Sequence, residues 1–380
     1  MSSADIALPT ITGLLGNLLP LKYGKSLPAA SRDSSGSVPV FGSSGVVGSH
    51  SAALTTGPTI IVGRKGNVGA VHYSSLPCWP IDTAYFVEPP AGHNPAYYRY
   101  LLQSLNLVRL DKSTAIPGLS RDDYNAVEVM IHAPDQQDGV VAEIEKQFSR
   151  LDEAVAKLKR VKANLKRYTD SVYAEVFSSA PNYTLGDLVD EGPQNGLYLP
   201  KEMYGEGVPI LRIDDYQTAW IRPVGELRRV KAMPDQASTW ALREGDLVIN
   251  RVNSMTHLGK CALIPSWLSG AVFESNMMRM RVIATVSPKY VEHYLASRLG
   301  KTRLTGNAKW AVNQASINQK DVRATPIFLP DLATQHEVVA EIDRRLSIVK
   351  GVEIEVDANI KRAQSLRQAV LARSFASSSH

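Results

Sequence analysis

Two stretches of the chain, one near its middle and one near its end, leave little freedom in how it can fold. The first, from Asp135 to Phe177, carries apolar residues at Val141, Ile144, Phe148, Leu151, Val155 and Leu158. After a shift of phase they resume at Val161, Leu165, Tyr168, Val172 and Val176. Spacings that alternate between three and four, with charges between them, describe one long helix with a coiled-coil seam. No Gly or Pro interrupts Val140 to Phe177. At about 1.5 Å per residue, roughly 40 residues span about 60 Å, too long for the core helix of a compact domain. A helix with one narrow apolar stripe needs a partner.

The chain supplies that partner. Val338-Val339-Ala340-Glu341-Ile342-Asp343 repeats Val140-Val141-Ala142-Glu143-Ile144-Glu145 at an offset of 198 positions, and Val370 to Phe375 answers Val172 to Phe177 at the same offset. Ala358-Asn359-Ile360-Lys361-Arg362 answers Ala163-Asn164-Leu165-Lys166-Arg167. Both copies open with Pro-Asp, at Pro134-Asp135 and Pro330-Asp331, which suits a helix start. So long a period is no solenoid repeat. It predicts two halves, each a globular segment followed by a long helix. The expected boundaries are 1–134, 135–180, 181–329 and 330–380, in an α+β chain.

The globular segments read as strands and short helices. Short β-branched runs between turn residues predict strands at Val38–Phe41, Thr59–Val62, Val68–Tyr73, Thr83–Val87 and Val127–Ile131. In the second half, Val208–Ile213, Gly245–Arg251 and Thr325–Leu329 play the same part. Helices are expected at Tyr97–Leu107 and Lys289–Leu299. Residues 1–13 are expected to be a disordered or weakly held leader.

Composition bounds the function. The chain of 380 residues is 44% hydrophobic, enough for real cores, and its two cysteines (Cys78 and Cys261) make neither a disulfide framework nor a metal spacing. With no basic-then-apolar leader and no apolar run long enough to span a bilayer, a soluble protein of the reducing cytoplasm is expected. The net charge of +5 is unevenly placed. Residues 1–134 hold nine basic and eight acidic residues, and residues 179–329 hold 18 and 14. The two helical stretches balance, at eight against eight and seven against seven. The globular segments therefore carry the positive excess, as nucleic-acid contact requires.

Catalytic motifs fail on inspection. Gly24-Lys25-Ser26 lacks the glycine a phosphate loop needs five residues earlier, where Leu19 stands. Asn94-Pro95-Ala96-Tyr97 is similar to an amino-methyltransferase motif but lacks its second proline, and no acidic Gly-rich cofactor loop follows a strand. No acid pair with a nearby lysine follows Pro134-Asp135, and no Ser/His/Asp or Cys/His grouping stands out.

The contact candidates are basic turns. Gly63-Arg64-Lys65-Gly66-Asn67-Val68-Gly69 lies between two predicted strands, and Arg251 to Lys260 takes the same place in the second half. Arg and Lys pair with guanine edges and phosphates, Asn with adenine, and Gly permits close approach of backbone. One such turn alone is better explained as a solvated hairpin. Its recurrence puts DNA contact on an equal footing. The expected contacts are Lys25, Arg64, Lys65, Asn67, Lys112 and Ser113 in the first half, and Arg251, Asn253, His257, Lys260, Arg303, Lys309 and Trp310 in the second.

Two diverged globular segments, each followed by a long helix opening Pro-Asp and then Val-Val-Ala-Glu-Ile, resemble the specificity subunit of a type I restriction–modification enzyme. Leu21-Lys22-Tyr23-Gly24-Lys25-Ser26-Leu27-Pro28, Tyr183 to Val189, and Leu366-Arg367-Gln368-Ala369-Val370-Leu371 also match. The resemblance covers nearly the whole chain from about Leu15. The departures are a short lead-in before Leu21, and Tyr173-Ala174-Glu175 where the second helix has Leu371-Ala372-Arg373.

The resemblance implies two target-recognition domains on an antiparallel helical spacer, each reading one half of a split double-stranded DNA site. The spacer would act as a ruler, so that removing one helical turn changes the permitted gap. It implies no catalysis and no cofactor in this subunit. Two methyltransferase subunits would bring S-adenosylmethionine, and restriction subunits would bring ATP and Mg. The expected docking stripe is Phe148, Leu151, Val155, Leu165 and Val172 on the first helix, with Leu346, Val349, Val356, Leu366 and Val370 on the second. Two alternatives stay open: the reader of a fused nuclease–methyltransferase, and a coiled-coil scaffold for protein partners.

Overall fold

The structure, a computed structural model, describes residues 10–111, 118–217, 220–254, 256–311 and 314–376. By packing, the chain divides into two compact units, Met1–Lys159 with Asp357–His380, and Arg160–Val356. Each unit holds a globular segment together with part of each long helix.

In the first unit the central sheet runs Lys22–Tyr23, Ala84–Val87, Thr59–Gly63, Val71–Ser74, with every neighbouring pair antiparallel. Thr59–Gly63 is buried along its whole length, which is why it reads as an unbroken apolar run rather than an alternation. A smaller sheet pairs Val38–Gly42 antiparallel with Gly45–His50 and parallel with Trp79–Pro80. The helix Pro95–Ser104 is one of the two predicted short ones, shifted by two residues at its start. Asn94 caps it, accepting from the Ala96 N–H, and Pro95 occupies the first turn, where no N–H is needed.

Thr10–Leu14, expected to be a loose leader, is instead a strand paired antiparallel with Glu128–His132. Ile11 and Leu14 stay exposed. Backbone pairing holds this strand, and apolar patterning carries no trace of that.

The second unit repeats the plan. Its sheet runs Val189–Asn195, Met277–Val282, Leu247–Asn250, Cys261–Leu263, again all antiparallel. Tyr204–Leu211 pairs antiparallel with Arg229–Val230 and parallel with Val272–Phe273, as Val38–Gly42 does with its neighbours. Tyr183–Thr184 pairs with Pro326–Ile327, as Thr10–Leu14 does with Glu128–His132. The single helix expected over Lys289–Leu299 is two, Pro288–Ala296 and Arg298–Thr305. Ser297 separates them because its hydroxyl accepts from the Gly300 N–H at 3.0 Å and so opens a new helix.

The long helices are Pro134–Val176 and Leu332–Ser374. In the first unit one leaves the globular segment at Pro134, where Val141, Ile144 and Phe148 are buried in its core. The other arrives with Leu371 buried in that same core and the Phe375 ring 5.2 Å from Tyr97. The two therefore run antiparallel there. The second unit mirrors this, with Val172, Tyr173 and Phe177 arriving and Ile342 leaving.

A buried glutamine in the first turn of each helix fixes the departure. Gln137 accepts from the Asn94 N–H at 2.9 Å and donates to the His132 carbonyl at 3.1 Å. Gln335 accepts from the Ser287 N–H at 2.8 Å and donates to the Pro330 carbonyl at 2.9 Å. Among the described residues, no helix is long and apolar enough to cross a membrane.

Candidate nucleic-acid interface

The two basic turns are built alike. In the first half the turn closes with the Gly69 N–H donating to the Gly63 carbonyl at 2.8 Å. Gly69 has φ +72°, and a side chain there would run into the backbone of Leu107 and Val108, so glycine is required. In the second half the Gly259 N–H donates to the Asn250 carbonyl at 3.0 Å, and Gly259 has φ +71°. The second turn is the longer of the two.

Each turn is then tied to a second loop. The Leu119 N–H donates to the Arg64 carbonyl at 2.9 Å, and Lys65 bridges Gly118. Equivalently, the Ile317 N–H donates to the Arg251 carbonyl at 2.9 Å, and Val252–Asn253 pairs with Gln314–Ser316. Lys309–Ala311 continues that small sheet. In the second half the two candidate segments, separate in sequence, thus lie together, while in the first half the turn is tied to Gly118 and Leu119.

On the first half's surface, Arg64 donates to the Asp82 carbonyl at 2.9 Å. Its guanidinium lies 5.6 Å from the Tyr23 ring and 5.8 Å from Tyr85. Arg121 lies 5.7 Å from the same Tyr23 ring. Tyr23 is exposed and packs edge-on against Tyr85 at 5.0 Å, so two cations and an aromatic pair meet at the surface. Sequence reasoning missed Tyr23, whose partners lie far along the chain. Lys65 and Asn67 are exposed on the turn, and Lys25 is exposed beside it, its own N–H fixed on the Pro80 carbonyl. Lys112 and Ser113 lie outside the described residues.

On the second half's surface, His257 and Lys309 are exposed, and Asn253 is half-buried with its side chain accepting from the Ser254 N–H. Arg251 donates one guanidinium nitrogen to the Ser275 carbonyl at 3.1 Å, while its Nε has no hydrogen-bond partner. Two expected contacts are instead engaged internally. Lys260 donates to the Ile213 and Tyr216 carbonyls, each at 2.7 Å, and its Nζ lies 4.5 Å from the Tyr216 ring centre. Burial lowers its pKa, and its ammonium pins the 213–216 segment rather than facing outward. Arg303 is half-buried and donates to the Tyr294 hydroxyl at 3.1 Å. Trp310 sits in the Lys309–Ala311 strand, and its side chain lies outside what the structure describes.

The expected docking stripe is corrected in part. Phe148 and Val172 are buried in the cores of their own units, so a partner could reach them only by unpacking those cores, and Val349 and Val356 are buried too. Leu151, Leu346 and Val370 are half-buried against the cores, and Val155 and Leu165 are half-buried along the helices. Leu366 alone of the stripe is exposed. In the second unit both helices expose apolar residues outside the expected stripe, Val161 and Tyr168 on the first and Ile348, Val352 and Ile354 on the second.

No family model matches the chain. Among curated proteins, it is 22% identical over 341 residues to the type I restriction enzyme StySPI specificity subunit of Salmonella potsdam, covering 82% of this chain and 72% of that one. It is 20% identical to the EcoDI specificity subunit of Escherichia coli, covering 99% of this chain and 90% of that one. The chain is a relative of the type I restriction specificity subunits. A solved structure of a type I restriction–modification system, described in terms of complex assembly and conformational transition, contains a chain with the same fold. The match has a TM-score of 0.72 at 16% identity and covers 97% of this chain and 98% of that one. Each half of the chain carries one of the two basic turns, closed and tied in the same way. Among the described residues, no cluster of His, Cys, Asp and Glu could hold a metal ion.

Proposed function

We propose that this chain is the non-catalytic, sequence-reading subunit of a type I restriction–modification assembly, each globular segment reading one half of a bipartite double-stranded DNA target. The observation that carries the reading is the duplicated joint between turn and loop, Leu119 on Arg64 and Ile317 on Arg251, both 2.9 Å. A fold that keeps this joint in both halves while the exposed residues around it differ is organised to present two different surfaces for one purpose. The residues assigned to DNA are Lys25, Tyr23, Arg64, Lys65, Asn67 and Arg121 in the first half, with Arg251, Asn253, His257 and Lys309 in the second.

The chemistry belongs to partners. Two methyltransferase subunits would bind S-adenosylmethionine and methylate adenine, and restriction subunits would use ATP and Mg. The exposed Val161, Tyr168, Ile348, Val352 and Leu366 are the helix positions we assign to partner docking. This chain's part is to hold base-reading side chains at fixed positions while others react.

The test is co-expression with a cognate methyltransferase subunit, followed by mapping of methylated adenines in the host genome. A single split motif with a constant gap is the expected result. A stable complex that leaves the genome unmethylated, or methylates it without a motif, overturns the reading.

A further inference from the structure

The second half has a cationic groove. It is a cleft of about 880 Å3 walled by Lys201, Arg212, Arg228 and Arg229 with Tyr204, and no carboxylate lines it. Lys201 and Arg228 are exposed, and among the described residues neither side chain has an ion-pair or hydrogen-bond partner. Arg229 is held in place by donating to the Gly207 carbonyl at 2.7 Å. Arg212 donates to Glu274 at 3.0 Å, and Glu274 also accepts from the Ile213 N–H at 2.7 Å.

That anchor joins the groove to the reading surface. Glu274 is followed directly by Ser275, whose carbonyl accepts from Arg251 at 3.1 Å. Arg212, at the wall of the groove, and Arg251, on the turn, are therefore anchored on consecutive residues, Glu274 and Ser275. The matching stretch of the first half, Tyr23 to Val38, has Lys25 and Arg32, and Arg32 is turned inward onto the Leu27 and Val47 carbonyls.

We propose that this groove is a phosphate track, holding the DNA backbone that flanks the half-site read by the second half. The inference rests on the DNA-reading function proposed above. Two exposed cations without partners among the described residues, Lys201 and Arg228, in a groove anchored beside a base-reading turn, suit a phosphodiester chain. Arg offers a planar fork to phosphate oxygens and Lys a point charge. Such contacts set affinity and register without reading bases.

The experiment uses the full chain assembled with its methyltransferase subunits and a duplex carrying the mapped target. Binding is measured by fluorescence anisotropy across a series of salt concentrations. Each lost phosphate contact lowers the slope of log affinity against log salt by about 0.9. Lys201→Ala with Arg228→Ala is expected to lower it by about 2, with the methylated motif unchanged. Arg228→Lys keeps the charge and is expected to keep the slope. An unchanged slope in the double variant overturns the track, as does an altered motif, which would make these residues base readers. A wild-type assembly that binds no target in the first place overturns the reading function itself, and the two failures are thus distinguished.

Discussion

Both globular segments grip the start of one long helix and the end of the other, but they fill the joint differently. In the second unit Phe177 is fully buried, its ring 5.4 Å from both Tyr290 and Tyr294 and stacked on Tyr173 at 6.2 Å. Its counterpart Phe375 is half-buried and meets Tyr97. Across the same joint, Tyr100 donates to Glu145 at 3.3 Å in the first unit, whereas His293 meets Asp343 at 2.9 Å in the second. The buried glutamines, Gln137 and Gln335, do the same work in both. Duplication preserved the backbone lock and let the apolar and ionisable parts drift, so the two joints differ in strength and in response to acid.

The largest contrast is expected at the ring pair. Phe177→Ala empties a fully packed site and should cost about 3–5 kcal/mol, whereas Phe375→Ala, at a half-buried ring, should cost less than half of that. Urea unfolding of the two variants measures the gap, and equal losses would break the asymmetry. Gln335→Ala and Gln137→Ala come next, at about 1–3 kcal/mol each, because each leaves a buried N–H and a buried carbonyl unpaired. Here the expectation is equality; a loss in only one of the two would show that the lock is not shared.

The acid response is smaller. Burial pushes the His293 pKa down and Lys289 adds to that, while Asp343 and Glu292 pull it up without prevailing. The unfolded chain takes up a proton near pH 6.5, where the folded chain does not. Stability from this group is thus complete above about 6.5 and falls as pH drops toward the lowered folded value. His293→Gln should flatten the pH dependence of unfolding between pH 7 and 5. A wild-type protein whose second unit shows no loss of stability over that range would remove the contrast with Tyr100. Smallest in stability, within about 0.5 kcal/mol, are Lys65→Ala and His257→Ala at exposed positions. Their effect should appear in methylation, with Lys65 relaxing one half of the motif and His257 the other.

The long helices and their repeat were legible in the sequence because an uninterrupted apolar spacing has few structural solutions. So were the central strands such as Thr59–Gly63, whose burial on both faces leaves an unbroken apolar run. Gln137 and Gln335 were not legible. A polar residue in the first turn of a helix looks solvated, and only the fold places it beneath the cap of a second helix. Lys260 misled for a related reason: a lysine in a glycine-rich turn looks outward until the 213–216 segment is laid over it. The cationic groove gathers Lys201, Arg212 and Arg228 from three separate segments, which no local pattern joins. The tie between each turn and its loop, Arg64 with Leu119 and Arg251 with Ile317, was invisible for the same reason.

Leu371 is buried among the side chains of the first globular segment, with Phe375 packed behind it. On a ribosome, this means that the segment made first cannot be finished first. Its core waits for residues emerging some 240 positions after Ile131, which at about 5–20 residues per second is a delay on the order of 10–50 s. Everything in Arg160–Val356 is contiguous and need not wait. The nascent first half therefore spends its early life with that apolar surface uncovered, until the second long helix closes it.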